Sequence, residues 1–535
     1  MTNIKKQNIG LQLSKRDLLK SIGMIGGSAA MYTTMQALNL VHASTMTEPP
    51  KITTAANGKK LIILGGGIAG MVTAIEMSKK GYKCEIIEAR PNAGGRCQTS
   101  RKGSIIEDEG GEKQVCNFAD GQYLNHGPWR IPVEHHSTLY YCRTLGVALE
   151  PLLNKSSKTY YYSENIEGSL KNKRISQHEL EIDRQGNISE LLAKCAMDGS
   201  LDDKVDQETV ELIVEYLRGT GLLGRKELNY RGNKARGYSN YPGPGTNFGK
   251  YSEPFDLKEL LKIKLGTLYE TSDHPAVMFQ AVGGMDRVAH AMFKALPENM
   301  FKFNSEVTDI AQDDEGVNIT YKNTETGVVT NTRADYCISA LPFPIVTTIN
   351  TDFSDELINA LKAPSAAPAF KLGLQLDRRF WEQDEMIFGG TSLTDIPGHG
   401  VTSYPSSDLH SDKGGVLLSS YVWGSQATIL SNLSVTERNE FALSIGEKLH
   451  PGKFRKHYTG NAMSMAWHKQ KYSLGGWSEW TARKRRRYLK TVLDGDRRIL
   501  FAGDILYSEA PGWMGGAIES AWLTMESLDK RISQL

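Results

Sequence analysis

The stretch Leu64-Gly65-Gly66-Gly67-Ile68-Ala69-Gly70 is the first place in the chain where residue type and spacing could do chemistry. Its glycines follow the pattern G-x-G-x-x-G, directly after the apolar run Lys60 to Leu64 and at the start of a helical pattern. Gly65 permits a tight turn, Gly67 lets backbone amides approach a pyrophosphate, and Gly70 lets a helix pack closely on the preceding strand. The amides and dipole of a helix opening at Ile68 and Ala69 favour a bound anion. Glu88, 18 residues beyond Gly70, closes the next apolar run, where a carboxylate accepts both hydroxyls of an adenosine ribose and repels a 2′-phosphate. The chemistry on offer is dinucleotide binding, with NADP disfavoured. A glycine loop alone is a weak signal; its coincidence with strand, helix and carboxylate gives it weight.

Two more stretches narrow the dinucleotide. Glu88 runs on through Ala89 and Arg90 to Gly94-Gly95-Arg96, an arginine able to pair with pyrophosphate beside two glycines that bring it close. An NAD site has no need of this extension. Near the other end of the chain, Phe501-Ala502-Gly503-Asp504 closes an apolar run with a glycine and a carboxylate, suited to a close backbone approach and a hydrogen bond to a ribityl chain. The cofactor expected is FAD.

These residues need a scaffold. Lys60 to Leu64 reads as a strand, Ile68 to Lys80 as a helix and Tyr82 to Glu88 as a second strand, a βαβ opening that implies an α/β, doubly wound parallel sheet. Alternating apolar residues return at Val307 to Tyr321 and Phe370 to Leu376, and Ile499 to Ala502 and Ala517 to Leu528 read as a closing strand and helix. The nucleotide-binding domain is therefore expected from discontinuous segments, 58–100, 275–345 and 490–535, with a mixed-sheet substrate domain over 101–164 and 365–489. Between about 165 and 274, helical spacing (Ile213, Val214, Leu217; Leu257, Leu260, Leu261) and a Gly/Tyr/Pro-rich loop predict a helical insertion.

The 535 residues carry 63 basic and 61 acidic side chains, and 40% are hydrophobic, an ordinary composition that excludes a disordered or collagen-like chain. Residues 1–43 hold five of the basic residues against one acidic, leaving 58 against 60 in the remainder, so nothing points to nucleic acid. That segment has the parts of an export signal: a basic start ending at Lys20, a weakly apolar stretch from Ser21 to Val41, and a small-residue site at Val41-His42-Ala43. Ser14-Lys15-Arg16-Asp17-Leu18-Leu19-Lys20 is similar to a twin-arginine signal with lysine in the first arginine position, and that route carries proteins already folded around a cofactor. Glycines, threonines and Gln36 interrupt the apolar stretch, so no stable membrane span is expected. Residues 44–57 read as a polar linker. The six cysteines show no metal-ligand spacing, so no metal is expected and no disulfide pairing is assigned. Arg483-Lys484-Arg485-Arg486-Arg487 reads as a solvated helical face. Oligomeric state stays open, a homodimer included.

With these residues assembled, the chain resembles the flavin-containing amine oxidases, and within them most closely the L-amino-acid oxidases, from Lys60 to Leu528. The resemblance is strongest at both ends, at Ala281-Val282-Gly283-Gly284-Met285-Asp286-Arg287 and over Lys371 to Pro397, and weakest in the helical insertion. It implies that Val307 lays its backbone against the adenine and that Gly127-Pro128-Trp129-Arg130 lies beside the flavin, with Arg130 gripping the substrate carboxylate. A planar guanidinium offers two parallel donors, which select and orient such a group. Tyr421 matches a tyrosine that donates to the same carboxylate, and Lys371 a lysine that holds a water at the flavin; an ammonium in an otherwise apolar strand is costly without such a role. Tyr472 to Trp477 and Ala510 to Gly516 resemble the strips framing the flavin, with Gly512, Trp513 and Met514 at the cofactor and Trp477 and Trp513 as aromatic walls. Some relatives carry a cysteine bonded to flavin where this chain has Gly476, so the FAD is expected to be noncovalent. The activity implied is oxidative deamination of an L-amino acid by O2 to a 2-oxo acid, ammonia and hydrogen peroxide. The rivals are an amine or polyamine oxidase, an amino-acid 2-monooxygenase, and a cofactor-bound protein without turnover.

Overall fold

The computed structural model describes residues 46–263, 274–506 and 512–534. The export signal read over 1–43, and Ala510 and Pro511 of the second flavin strip, lie outside the described residues. Five parallel strands form the first sheet, in the spatial order Phe301–Lys302, Lys83–Ile87, Lys60–Leu64, Tyr336–Ser339, Ile499–Phe501. In chain order this is 3-2-1-4-5, the doubly wound arrangement, and its switch point falls between Lys60–Leu64 and Tyr336–Ser339. The period of a strand decides what covers each face. Leu61, Ile63 and Ile86 point into a core with the helices Ile68–Lys79 and Met514–Ser533, while Ile62, Leu64 and Ile87 point into a second core. That second core is closed by the antiparallel strands Ser305–Gln312, Val317–Asn323 and Val329–Ala334.

The segment read as a linker is tied to this body. Ile52 and Ala56 are buried in the first core, and the Thr53 and Thr54 amides donate to the Asp529 carboxylate on the closing helix at 2.9 and 2.8 Å. Folded structure therefore begins ahead of Gly58. One aliphatic residue and a pair of threonines facing a helical carboxylate anchor a stretch whose composition is otherwise polar.

A second, mixed sheet has seven strands, in the order Tyr458–Ala466, Ala369–Leu376, Gly415–Trp423, Val401–Ser403, Thr391–Thr394, Tyr160–Tyr162, Arg174–Ser176. Ala369–Leu376 is buried at every position, because it is central in the sheet and covered on both faces. Between the sheets, Leu149–Leu153 pairs antiparallel with Val277–Ala281 in a two-stranded ribbon. From this ribbon the chain first adds Tyr160–Tyr162 and Arg174–Ser176 to the second sheet, then runs through the helices Gln177–Met197, Gln207–Thr220 and Leu257–Lys262 before returning to the ribbon. Buried Asp183 ties the excursion together by accepting from Tyr230 Oη, Arg236 Nε and the Phe255 amide, a fully partnered charge. Arg483 to Arg487 lie on the helix Ala482–Asp494, whose Val492 packs into the second core. Among the described residues no helix is long and apolar enough to cross a membrane.

Candidate active site

At the carboxyl edge of the parallel sheet, beside the switch point, a cavity of about 620 Å³ opens. Its first wall is the glycine loop. Gly65 has φ +96°, and a Cβ there would lie 3.3 Å from the Ala340 carbonyl. A Cβ on Gly70 would lie 2.0 Å from the Gly65 carbonyl oxygen, so no side chain fits. Gly70 accordingly sits behind the loop and shapes it, whereas every other residue read from the sequence as a site residue lines the cavity. At Gly67 a Cβ would meet nothing closer than Gly95 Cα at 3.9 Å, and at Gly503 nothing within 4 Å. The backbone is thus bare where a flat or extended ligand must come close. Buried Glu88 accepts from the Gly66 amide at 2.7 Å and from the Arg90 amide at 2.8 Å, which fixes the carboxylate at the sheet edge.

The middle of the cavity holds Arg96 and Asp504. Expected to meet different parts of a cofactor, they also meet each other: Arg96 Nη2 lies 2.6 Å from Asp504 Oδ1, and Nη1 donates to the Gly476 carbonyl at 2.7 Å. Asp504 Oδ2 is buried without a partner among the described residues, an open acceptor on the cavity wall. Arg90 is held by Ser473 Oγ at 2.8 Å and lies over the Tyr472 ring. Bare glycine backbone, a carboxylate fixed at the sheet edge, two arginines and an open acceptor suit an extended dinucleotide. A Cβ at Gly476 would fall 2.6 Å from Ala369 Cβ, so a side chain there would have to displace its neighbour.

At the far end, side chains from four separate stretches converge. Lys371 and Tyr421 are directly opposite each other in the ladder between Ala369–Leu376 and Gly415–Trp423. Lys371 Nζ donates to the carbonyls of Gly127 and Asn125 and lies 4.6 Å from the Tyr421 ring centre. Burial, with Arg130 adding to it, lowers the Lys371 ammonium to about 7. Arg130 stacks on Trp129 at 4.3 Å and donates to Asn154 Oδ1. Desolvation lowers its guanidinium to about 10 while Tyr421 acts the other way, and among the described residues no carboxylate pairs with it. Trp129 meets Tyr421 edge-on at 6.0 Å.

Trp513 stands at the head of the closing helix between two imidazoles, His135 at 5.0 Å and His274 at 5.6 Å between ring centres. Burial lowers both histidines to about 4, so they are neutral at pH 7, and His135 Nε2 is buried without a partner among the described residues. Gly512 has φ +83°, and a Cβ there would lie 3.1 Å from Trp477 Cγ, which makes glycine the residue that lets Trp477 and Trp513 approach. Trp423 extends this aromatic wall, 6.4 Å from Trp477. The sequence reading missed Trp423, His135 and His274, and also Ile345, Thr348 and Ile349 beside Val307. His135 follows Arg130 by five residues and Trp423 follows Tyr421 by two, so closeness in sequence was a usable signal for these two.

Residues 68–525 match the family model of flavin containing amine oxidoreductases. An L-amino-acid oxidase of Siganus canaliculatus is 26% identical over 491 residues, covering 88% of this chain and 85% of its own. One of Vipera ammodytes ammodytes is 25% identical, covering 90% and 94%. Among solved structures, a putrescine oxidase variant superposes with TM-score 0.59 at 17% identity over 89% of this chain and 99% of its own. A cyclohexylamine oxidase from Brevibacterium oxydans does so with 0.59 at 16%, over 89% and 100%. The two structural likenesses establish the fold.

Proposed function

We propose a function from one premise: the chain belongs to the flavin-containing amine oxidoreductase family. On that premise it is an FAD-dependent L-amino-acid oxidase, taking an L-amino acid, O2 and water to a 2-oxo acid, ammonia and hydrogen peroxide. Bound FAD supplies the two-electron acceptor that the protein's own side chains lack.

The observation that carries the reading is Arg130: a desolvated guanidinium facing the cavity, with no carboxylate partner among the described residues and Lys371 as a second cation beside it. A site left with uncompensated positive charge is completed by an anionic substrate, and an amino acid brings a carboxylate where a simple amine brings none. The chain's residues then divide the work. Arg130 and the Tyr421 hydroxyl bind and orient the carboxylate; Trp513 and Trp477 wall the amine and side chain and exclude water. Lys371, poised near neutrality, holds a water and exchanges a proton with it. Glu88 receives ribose hydroxyls, the glycine loop and Arg96 receive the pyrophosphate, Asp504 Oδ2 accepts a ribityl hydroxyl, and Val307 borders the adenine. The closed space at Gly476 supports noncovalent binding.

Purified holoprotein offered L-amino acids, their D-forms and simple amines, while peroxide, ammonia and carbon dioxide are followed, tests the reading. Peroxide and ammonia from L-amino acids, lost in Arg130→Met with flavin retained, support it. Peroxide from amines alone sinks it in favour of an amine oxidase, and carbon dioxide released without added peroxide in favour of a monooxygenase. Residues 1–43 support export; deleting them should leave the enzyme in the cytoplasm, and unchanged export would overturn that assignment.

A further inference from the structure

We propose that Asn154, which lies behind the cavity wall, is the positioning residue of the carboxylate clamp: a neutral holder that fixes the direction of Arg130 and leaves its charge free for substrate. The inference rests on the reading of Arg130 as that clamp. Asn154 directly follows the strand Leu149–Leu153 and makes three contacts. Its backbone amide donates to the Ala276 carbonyl at 2.8 Å, its side-chain Nδ2 donates to the Pro275 carbonyl at 3.1 Å, and its Oδ1 accepts from Arg130 Nη1. The amide has no second orientation, because a guanidinium only donates and a carbonyl only accepts; turning the group over would set donor against donor and acceptor against acceptor.

The backbone of the clamp is fixed to the same ribbon. The Ile131 amide donates to the Phe279 carbonyl at 2.7 Å, and the Phe279 amide returns the bond at 2.8 Å. Main chain and guanidinium of Arg130 are thus both registered to the segment 275–279, whose neighbour His274 lies against Trp513. The carboxylate end of the site and its aromatic wall share one reference frame.

Why this residue is an asparagine is brought out by the three fully buried arginines among the described residues. Buried Arg236 has Asp183, buried Arg379 has Glu382 and buried Arg438 has Asp108, each an ion pair that consumes the charge inside the protein. Arg130 has an amide in the equivalent role. An aspartate would neutralise the guanidinium and turn its second oxygen toward the Pro275 carbonyl, acceptor facing acceptor. An alanine would leave the guanidinium directed by the Trp129 stack alone.

The test uses benzoate, a carboxylate without an amine, titrated into flavin-loaded wild type, Asn154→Asp, Asn154→Ala and Arg130→Met, with binding read from the flavin absorbance and folding from thermal unfolding. Asn154→Asp is expected to weaken benzoate at least tenfold and to raise KM for the amino acid more than it lowers kcat, with Asn154→Ala between it and wild type and unfolding little changed. Asn154→Ala serves alone if the aspartate variant does not fold. Benzoate binding within twofold of wild type in the Asn154 variants, with Arg130→Met unable to bind, overturns the positioning role and leaves the clamp standing. Wild-type binding by Arg130→Met overturns both.

Discussion

The two ends of the cavity are built by different means. The cofactor end is made largely of backbone: Gly65, Gly67, Gly94 and Gly95 present main chain without side chains, and Glu88 is held by the amides of Gly66 and Arg90. The substrate end is made of side chains, Arg130, Lys371, Tyr421 and Trp513, each from a different stretch and brought together by the two-stranded ribbon, the second sheet and the closing helix. One end therefore depends on the absence of atoms, and the other on the direction of a few charged and aromatic groups.

If that contrast is right, the cofactor end should fail on the smallest added group. Gly70→Ala puts a methyl 2.0 Å from a backbone oxygen, which no rotamer relieves; we expect at least about 3 kcal/mol of lost stability and a protein purified without flavin. Flavin content and thermal unfolding decide it, and a yellow, stable variant breaks the comparison. The substrate end should tolerate changed volume but not changed donor geometry. Arg130→Lys keeps the charge and loses the planar fork, so kcat/KM should fall roughly tenfold to a hundredfold with flavin binding intact; equal loss of flavin would show that the two ends are not separable.

Legibility followed the same division. The glycine loop, Glu88 and the strands Lys60–Leu64 and Lys83–Ile87 could be read because the βαβ unit is contiguous and each residue answers to a local requirement of turn, approach or period. What the sequence could not convey was register. Nothing within Ala369–Leu376 or Gly415–Trp423 says that Lys371 will sit opposite Tyr421; that comes from the ladder. His274 and Asn154 lie 120 positions apart and come together only because the ribbon pairs Val277 with Leu153. The resemblance stood in for that information at Arg130 and Tyr421, and failed beside the insertion, where it carried no residue.

Smaller effects sharpen the boundary. Gly512→Ala joins both regimes, since φ is +83° and a methyl would press on Trp477; we expect about 1 to 2 kcal/mol, read as roughly a tenfold rise in KM. His135 is held neutral by burial, its pKa lowered to about 4 from an ordinary 6.5. The unfolded chain takes up the proton first as pH falls, so this contribution to stability is full above pH 6.5 and declines toward pH 4. His135→Phe should remove about 1 kcal/mol of the stability lost between pH 6.5 and 5.5 in chemical denaturation, and an identical pH dependence in both proteins would show that the group titrates normally.

The ribbon Leu149–Leu153 with Val277–Ala281 has one more consequence. Because Leu153 and Val277 are directly opposed, the chain that departs after the one returns beside the other, having added Tyr160–Tyr162 and Arg174–Ser176 to the seven-stranded sheet on the way. Beyond those two strands, the helices Gln177–Met197, Gln207–Thr220 and Leu257–Lys262 form a cassette whose length can change while the chain on either side stays tied to the sheets.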